Sequence, residues 1–333
     1  MDRIAAGSAT DRRDLFSESA SRLGMNPAIV EKDFWVCWIL KHFFAEPALK
    51  EQMVFKGGTS LSKVFGLIER FSEDIDLILD WRLLGYGTAE GNDPNQPIQS
   101  KTKQSRYNQE MNARAAEYIR GTLLDQLNRI FAPAGGVAAS IDESDPHTVN
   151  VRFPAAFRAS YIRPEVRLEI GPLASWVPSS VRTIHPYAAD TFPNAFAESD
   201  CTVVAIDAER TFWEKATILH QEAHRPGTIP ARYSRHYYDL CKLAGSPVKD
   251  AALADHALLQ AVVELKERFY YSSWAHYDLA QPGSFRLVPP ENQWPALERD
   301  YRAMRDMFYR EPPEFDEVLR ALQAIEGEIN SIQ

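Results

Sequence analysis

Residues 55–79 place a glycine pair ahead of a short segment in which acidic and apolar residues alternate. The alternating segment is Asp-Ile-Asp-Leu-Ile-Leu, from Asp74 to Leu79. Because successive side chains of a strand point to opposite faces, Asp74 and Asp76 are expected to share one face. Ile75, Leu77 and Leu79 would then pack into a core. The period of two therefore predicts a strand with one buried face and one acidic face.

Two carboxylates this close on one face repel each other unless a cation lies between them. Mg²⁺ prefers oxygen ligands and usually keeps coordination positions for water and substrate phosphates. We therefore expect Asp74 and Asp76 to bind Mg²⁺, or Mn²⁺ in its place, next to a nucleoside triphosphate.

The glycine pair, Gly57 and Gly58, supplies the second half of the pattern. Without Cβ atoms its backbone can approach a phosphate, and a helix that begins at Thr59 would point N–H groups and its positive dipole end at that phosphate. The hydroxyls of Thr59 and Ser60 would add donors. The Gly-x-x-x-x-Gly-Lys-Ser/Thr pattern of phosphate-loop NTPases does not occur. Together these features indicate nucleotidyl transfer.

Two motifs in this region resemble the AbiEii/AbiGii toxin family. They are Lys-Gly-Gly-Thr-Ser-Leu-Ser-Lys at residues 56–63 and Arg-Phe-Ser-Glu-Asp-Ile-Asp-Leu at residues 70–77. The family comprises minimal nucleotidyltransferases of the DNA polymerase β superfamily and includes the MenT toxins. Three further segments are similar to the family: residues 31–35 (Glu-Lys-Asp-Phe-Trp), 211–215 (Thr-Phe-Trp-Glu-Lys) and 235–240 (Arg-His-Tyr-Tyr-Asp-Leu). Nothing after residue 246 is diagnostic.

The resemblance implies a set of site residues. The triphosphate is expected to contact Lys56, Gly57, Gly58, Thr59, Ser60, Lys63, Arg70 and Ser72. The expected catalytic residues are Asp74, Asp76, Glu169, Lys215 and Asp239, with Glu169 as a third metal-binding carboxylate beside the two strand aspartates.

The resemblance also implies a fold of the α/β (α+β) class. A polymerase β-like mixed sheet with N-terminal helices is expected in residues 1–206. A helical C-terminal lobe, residues 207–333, is expected to contribute Lys215 and Asp239 to the site.

The activity that the resemblance implies is magnesium-dependent transfer of a nucleoside monophosphate from an NTP to an acceptor hydroxyl. Family members act as toxins in type IV toxin–antitoxin (abortive infection) systems, and some modify the 3′ end of tRNA. The tRNA 3′ end is therefore the expected acceptor, and a cognate antitoxin protein is the expected partner. Two alternatives stay open: transfer to a protein hydroxyl, and an NTP- or GTP-binding regulator with little turnover.

Two of these residues, Glu169 and Asp239, also have plain structural interpretations. The alternation of Val166–Ile170 puts Glu169 on the polar face with Arg167, where an exposed glutamate of any amphipathic strand would also lie. Lys215 could reach triphosphate oxygens from a helix as a point charge. Asp239 follows Arg235 by four residues, so the simplest account is a helix ion pair worth about 0.3 kcal/mol.

Size and composition indicate a globular protein. A chain of 333 residues that is 45% hydrophobic and 11% aromatic exceeds one ordinary core, so two lobes or a core with a helical extension are expected.

The three cysteines, Cys37, Cys201 and Cys241, form neither a metal-type spacing nor an even disulfide set. The apolar run Phe34–Phe44 is too short and too interrupted to span a membrane. We expect a cytoplasmic protein without membrane contact.

The net charge of −9 is unevenly distributed. The acidic C-terminal segment, residues 291–333, has ten acidic and five basic residues. Residues 101–129 instead have six basic and three acidic residues, and further arginines occur at Arg158, Arg163, Arg167 and Arg182. We expect RNA to contact the basic residues of two regions, 101–129 and 158–182, because phosphate contacts dominate the affinity of proteins for RNA. An ordinary solvated helix face would account equally well for residues 101–129.

Periodicity and turn residues give an outline of the elements. Strands are expected at 53–56, 75–79, 137–141, 148–153 and 166–170, and helices at 26–44, 59–65, 103–131, 207–224, 234–244, 252–270, 294–309 and 314–329. The Gly-, Asn- and Pro-rich stretch Leu84–Gln99 is expected to be a loop, placed to act as a lid over a nucleotide.

Overall fold

The computed structural model describes residues 1–87, 93–157 and 163–332. It divides the chain into two compact units. The first unit comprises Met1–Val64, Phe71–Pro97 and Ser105–Ile206, and the second comprises Phe65–Arg70, Ile98–Gln104 and Asp207–Gln333. Arg158 and residues 88–92 of the expected lid loop lie outside the described residues.

The first unit contains a mixed sheet, with seven strands in the described part of the chain. They are β1 (Met53–Lys56), β2 (Asp74–Leu79), β3 (Ala138–Ile141), β4 (Thr148–Arg152), β5 (Glu165–Gly171), β6 (Ser179–Ile184) and β7 (Cys201–Ile206). Their order is β3-β4-β5-β2-β1-β7-β6. The β2–β5 and β1–β7 pairs are parallel and the other pairs are antiparallel. The expected mixed α/β class is confirmed.

Helices accompany this sheet in chain order. They are α1 (Asp2–Ala5), α2 (Ala9–Leu23), α3 (Pro27–Ala45), α4 (Pro47–Gln52), α5 (Gly57–Lys63), α6 (Lys101–Tyr118), α7 (Leu124–Phe131) and α8 (Tyr187–Thr191). The helix α3 begins as its sequence predicts, because the Asn26 side chain accepts a hydrogen bond from the Ala28 N–H and Pro27 occupies the first helical position. It packs against α2, α8 and β7, and Trp35 stacks on Phe153 at 5.3 Å between ring centroids.

The second unit is helical in its described residues. Its helices are α9 (Ala208–Ala223), α10 (Ser234–Ala244), α11 (Pro247–Ala254), α12 (His256–Phe269), α13 (Trp294–Ala303) and α14 (Phe315–Asn330). An isolated antiparallel bridge joins Arg70 to Phe308, and the Tyr309 N–H donates to the Glu69 carbonyl at 2.9 Å. This bridge fixes the backbone of Arg70 within the second unit.

Several parts of the outline differ from the sequence expectation. The helix expected at 294–309 ends at Ala303, and α1, α2, α4 and α8 have no counterpart in that expectation. The helix after the glycine turn begins at Gly57 rather than at Thr59. The helix expected at 103–131 is interrupted by a π-helical turn at Ile119–Leu123. The segment 252–270 falls in two helices because the Asp255 side chain accepts from the Leu258 N–H and starts α12. Strands β6 and β7 have no counterpart in the expected outline.

Candidate active site

The polar face of β2 carries both aspartates of the alternating motif. Ile75, Leu77 and Leu79 are at most 3% exposed, whereas Asp74 and Asp76 are half-buried. In the parallel pairing with β5, Asp74 lies opposite Arg167 and Asp76 lies opposite Glu169. Lys56 of β1 flanks Asp76 on its other side. Because directly paired residues project to the same face, the sheet brings Lys56, Asp74, Asp76 and Glu169 onto one polar surface.

Gly57 lies directly against the Asp76 carboxylate. The φ angle of Gly57 is +83°, and a Cβ added there would lie 1.9 Å from the Asp76 Oδ2 and 2.7 Å from its Cγ. A side chain at this position would both strain the backbone and displace the carboxylate. The turn therefore needs glycine because Asp76 occupies the space that a Cβ would fill.

Glu169 leans along its own strand. Its side chain is 42% exposed, and its Oε1 lies 3.4 Å from the Arg167 Nη2. The neighbouring Asn150 of β4 lies opposite Arg167. The Asn150 Oδ1 and the Arg167 Nε are buried without a hydrogen-bond partner. This polar face therefore has one unsatisfied buried acceptor and one unsatisfied buried donor.

The residues on this face fit a divalent cation. Two aspartate carboxylates share the face with Glu169 on the adjacent strand, and carboxylate oxygens are the ligands that Mg²⁺ prefers. Over residues 1–87, 93–157 and 163–332, no three His, Cys, Asp or Glu side chains are already drawn together as a metal site. A metal would therefore be held by Asp74 and Asp76, with Glu169 available if it leaves Arg167.

The hydroxyls after the glycine pair are engaged with the backbone. Thr59 is 1% exposed and donates to the Asp74 carbonyl, and Ser60 is 0% exposed and donates to the Gly57 carbonyl at 2.9 Å. A phosphate contact from either hydroxyl would require it to change partner. The Thr59 hydroxyl instead connects the start of α5 to the first residue of β2, and the Ser60 hydroxyl closes the glycine turn on itself. Ser72, in the segment before β2, is half-buried.

Lys63 is also engaged within the protein. Its Nζ lies 2.7 Å from the Asp33 Oδ1, with the two side chains 5% and 3% exposed, and 3.7 Å from the Tyr187 ring centroid. The same Asp33 accepts from the Tyr187 N–H at 2.7 Å. Burial raises the pKa of Asp33, and the charge of Lys63 opposes that shift. Lys63 thus fastens the end of α5 to α3.

Sequence reasoning noted residues 31–35 only as a resemblance and missed their contacts. Glu31, Lys32 and Asp33 are consecutive and at most 3% exposed. Glu31 accepts from the N–H groups of Ala156 and Phe157 at 2.7 and 3.0 Å. The Lys32 Nζ lies 2.5 Å from Glu73, the residue before Asp74. Burial raises the pKa of Glu31. A useful signal was present, because three adjacent charges in an apolar helix need buried partners.

The second unit holds a buried cluster around Asp239. Its carboxylate pairs with the Arg70 Nε at 2.7 Å and Nη2 at 2.8 Å, and with the Lys215 Nζ at 2.9 Å. The Lys215 Nζ also lies 3.0 Å from the His236 Nδ1. The expected Asp239–Arg235 helix pair is therefore wrong: the carboxylate is turned toward Arg70, a residue 169 positions away.

Charge and burial compete within this cluster. Burial alone would raise the pKa of Asp239, but the charges of Arg70 and Lys215 hold it below its usual range. Burial lowers the pKa of Lys215 although Asp239 opposes that shift. Burial and the charge of Lys215 lower the pKa of His236 well below its ordinary value. Neutral His236 can therefore accept from the Lys215 ammonium, which fixes the position of that side chain.

Arg70, an expected triphosphate contact, is engaged within the second unit. It is 3% exposed, and its guanidinium is engaged by Asp239. In this arrangement Arg70 neutralises Asp239, and a phosphate would have to compete with that carboxylate.

No helix in the described part of the chain is long and apolar enough to cross a membrane.

Comparisons with known proteins identify the family to which the chain belongs. No curated protein matches the chain. Among solved structures, the nucleotidyltransferase toxin MenT4 from Mycobacterium tuberculosis H37Rv is similar, with 16% sequence identity and a TM-score of 0.42. The match covers 95% of this chain and 99% of that one. The family described as "Nucleotidyl transferase AbiEii toxin, Type IV TA system" matches residues 38–321. The chain therefore belongs to the AbiEii family of nucleotidyltransferase toxins.

Proposed function

We propose that this chain transfers a nucleoside monophosphate from an NTP to the 3′ end of a tRNA, with Mg²⁺, or Mn²⁺ in its place, held by Asp74 and Asp76. We further propose that it acts in the cytoplasm as a toxin that a cognate antitoxin protein neutralises. Nucleotidyltransferases of this kind generally use an NTP and a divalent metal. The observation that carries the proposal is the packing of the Asp76 carboxylate against Gly57, with Asp74 and Glu169 on the same face.

The residues of the first unit have distinct roles in this reaction. Asp74 and Asp76 hold the cation, while the backbone of Gly57 and Gly58 can come close to phosphate oxygens because it lacks Cβ atoms. Lys56, beside Asp76 in the register of β1 and β2, contributes positive charge to the triphosphate. When bound, the metal polarises the α-phosphate and stabilises charge on the attacking and leaving oxygens.

The bond changes follow from these positions. The acceptor hydroxyl oxygen forms a bond to the α-phosphorus as the bond to pyrophosphate breaks, and the hydroxyl proton passes to Glu169 acting as general base. Glu169 must separate from Arg167 to do so, since their side chains are 3.4 Å apart. Within the second unit, Asp239 and His236 orient Lys215.

The test supplies each α-labelled NTP separately with fractionated tRNA. Asp74→Asn and Asp76→Asn remove charge but little volume, so each should reduce labelling of tRNA by at least about 100-fold without changing the unfolding temperature. Asp14→Asn, on the exposed face of α2, is the matched control and should label tRNA as the wild type does. Full activity in a folded Asp74→Asn, Asp76→Asn double variant would contradict the assignment.

Two other outcomes separate the alternatives. Label found in a protein extract and absent from tRNA would replace the RNA acceptor by a protein hydroxyl. Nucleotide that binds without being incorporated would indicate a regulator with little turnover. Growth arrest that persists when the Asp76→Asn protein is expressed would show that toxicity does not depend on transfer.

A further inference from the structure

A cluster of cation–aromatic pairs lies on the surface of the second unit. Within the five residues Tyr-Tyr-Ser-Ser-Trp, from Tyr270 to Trp274, three are aromatic. Tyr270 is 49% exposed and Tyr271 is 52% exposed, which places them among the large apolar side chains that are most open to solvent. Trp274 is half-buried. Adjacent exposed aromatic rings of this kind are typical of a binding surface.

Each of the three rings is accompanied by a cation from a different element. The Lys266 Nζ, in the last turn of α12, lies 5.0 Å from the Tyr270 ring centroid. The Lys101 Nζ lies 4.0 Å from the Tyr271 centroid; Lys101 is in the first turn of α6, a turn that belongs to the second unit. The Arg225 Cζ, just after α9, lies 4.5 Å from the Trp274 centroid. These distances are within the range of cation–π attraction.

Arg225 shows that part of this surface is rigid. Its guanidinium donates twice to the buried Glu222, from Nε at 2.5 Å and from Nη2 at 2.8 Å. Glu222 is 0% exposed, so the position of Arg225 over Trp274 is set from the interior of the unit. Because Arg225 is already fixed, its side chain loses little conformational freedom when a ligand binds.

We propose that residues 270–274, with Lys101, Lys266 and Arg225, form a platform for single-stranded RNA; this rests on the proposed RNA acceptor. Single-stranded RNA presents π faces that stack on aromatic rings and phosphates that attract cations, so it complements both halves of each pair. Duplex RNA offers the phosphates without accessible base faces. The platform therefore selects single-stranded RNA over a double-stranded stem.

Fluorescence anisotropy with a short labelled single-stranded RNA and a blunt RNA hairpin tests this platform in the full chain. The Tyr270→Ala, Tyr271→Ala double variant should bind the single strand at least about tenfold more weakly, because it loses the rings on which bases stack. Its affinity for the hairpin should be unchanged. Tyr271→Phe keeps the ring and should bind within about twofold of the wild type.

Val181→Ala is the matched control, since Val181 is 64% exposed on β6 without a ring or cation partner in this cluster. Unchanged single-strand affinity in the double variant, or an equal loss for the hairpin, would overturn the platform. If the double variant instead loses only the antitoxin protein and keeps RNA, the surface binds a protein and the platform is wrong.

The same measurements keep the two proposals apart. A wild type that labels tRNA while the double variant binds single strands normally would overturn the platform and leave the proposed function standing. A wild type that binds no RNA and labels protein would overturn both the platform and the tRNA acceptor, while nucleotidyl transfer would stand.

Discussion

At the scale of single residues, the contact between Gly57 and Asp76 links backbone conformation to the proposed chemistry. In Gly57→Ala the new Cβ would meet the Asp76 Oδ2 at 1.9 Å in a backbone with φ of +83°. We expect transfer to fall at least about 100-fold, because a shift of about 1 Å in a catalytic group can have that effect. The left-handed conformation should cost about 1–2 kcal/mol of unfolding free energy.

The matched control for this substitution is Gly24→Ala. Gly24 ends α2 with φ of +66°, and an added Cβ there has nothing within 4 Å. It should lose a similar unfolding free energy in urea and keep full transfer activity. If both variants lost activity in proportion to their stability, the loss would come from folding rather than from displacement of Asp76.

His220 gives a prediction about pH at the same scale. Burial lowers its pKa from 6.5 to about 4, and its ring accepts from the Arg286 N–H through Nδ1 and contacts the His276 carbonyl through Nε2. Below pH 6.5 the unfolded chain binds a proton that the folded chain does not, so stability is complete above pH 6.5 and falls as pH decreases toward 4.

Between pH 7 and pH 5 this histidine should remove about 2 kcal/mol of unfolding free energy. His220→Gln keeps one donor and one acceptor but has no titratable group in this range, so its stability should fall less than that of the wild type by about that amount. Chemical denaturation at the two pH values measures the difference. Parallel losses in the two proteins would show that His220 is not the residue that titrates.

At the scale of elements, α3 connects to α5, the helix that begins with the glycine pair, through buried charges. Asp33→Asn leaves the Lys63 ammonium buried without its carboxylate, and breaking a buried ion pair from one side costs about 3–5 kcal/mol. The amide oxygen that this substitution introduces could still accept from the Tyr187 N–H, which isolates the effect of charge.

The double variant Asp33→Asn, Lys63→Met completes this prediction. It removes both charges, so most of the lost unfolding free energy should return. Urea unfolding of the two single variants and the double variant gives the coupling between the residues. A double variant as unstable as the sum of the two single variants would mean that the 2.7 Å contact contributes no coupling.

These elements also show what the sequence can and cannot specify. The bounds of β1 and α10 were predicted to the residue, because strand alternation and helix periodicity are local signals. Strand β7 was missed although its run from Cys201 to Ile206 is rich in β-branched residues. The break between α11 and α12 was also missed, although Asp255 is a residue type that favours helix caps.

Only part of the candidate site could be predicted from the sequence. The shared face of Asp74 and Asp76 follows from a period of two. The choice of Arg70 over Arg235 as the partner of Asp239 does not, because it depends on residues 169 positions apart meeting in the folded chain. Pairing rules within one helix could only propose the local partner.

At the scale of the whole molecule, the net charge of −9 repels RNA, so any RNA affinity must come from local basic regions. The ten acidic and five basic residues of the acidic C-terminal segment account for more than half of that charge. Lys101, Lys103 and Arg106 are all exposed on α6. These three residues are therefore the accessible cations that we expect to contact phosphates.

Replacing Lys101, Lys103 and Arg106 by alanine should weaken RNA binding and make it less dependent on salt. Each phosphate contact with a single strand contributes about 0.7 to the slope of log affinity against log salt, so losing three should reduce the slope by about 2. The matched control replaces Arg299, Arg302 and Arg320, three arginines of the acidic C-terminal segment, and should leave the slope unchanged although the net charge changes equally. NTP binding should be the same in both variants. An equal change of slope in the two would mean that RNA responds to total charge rather than to this helix.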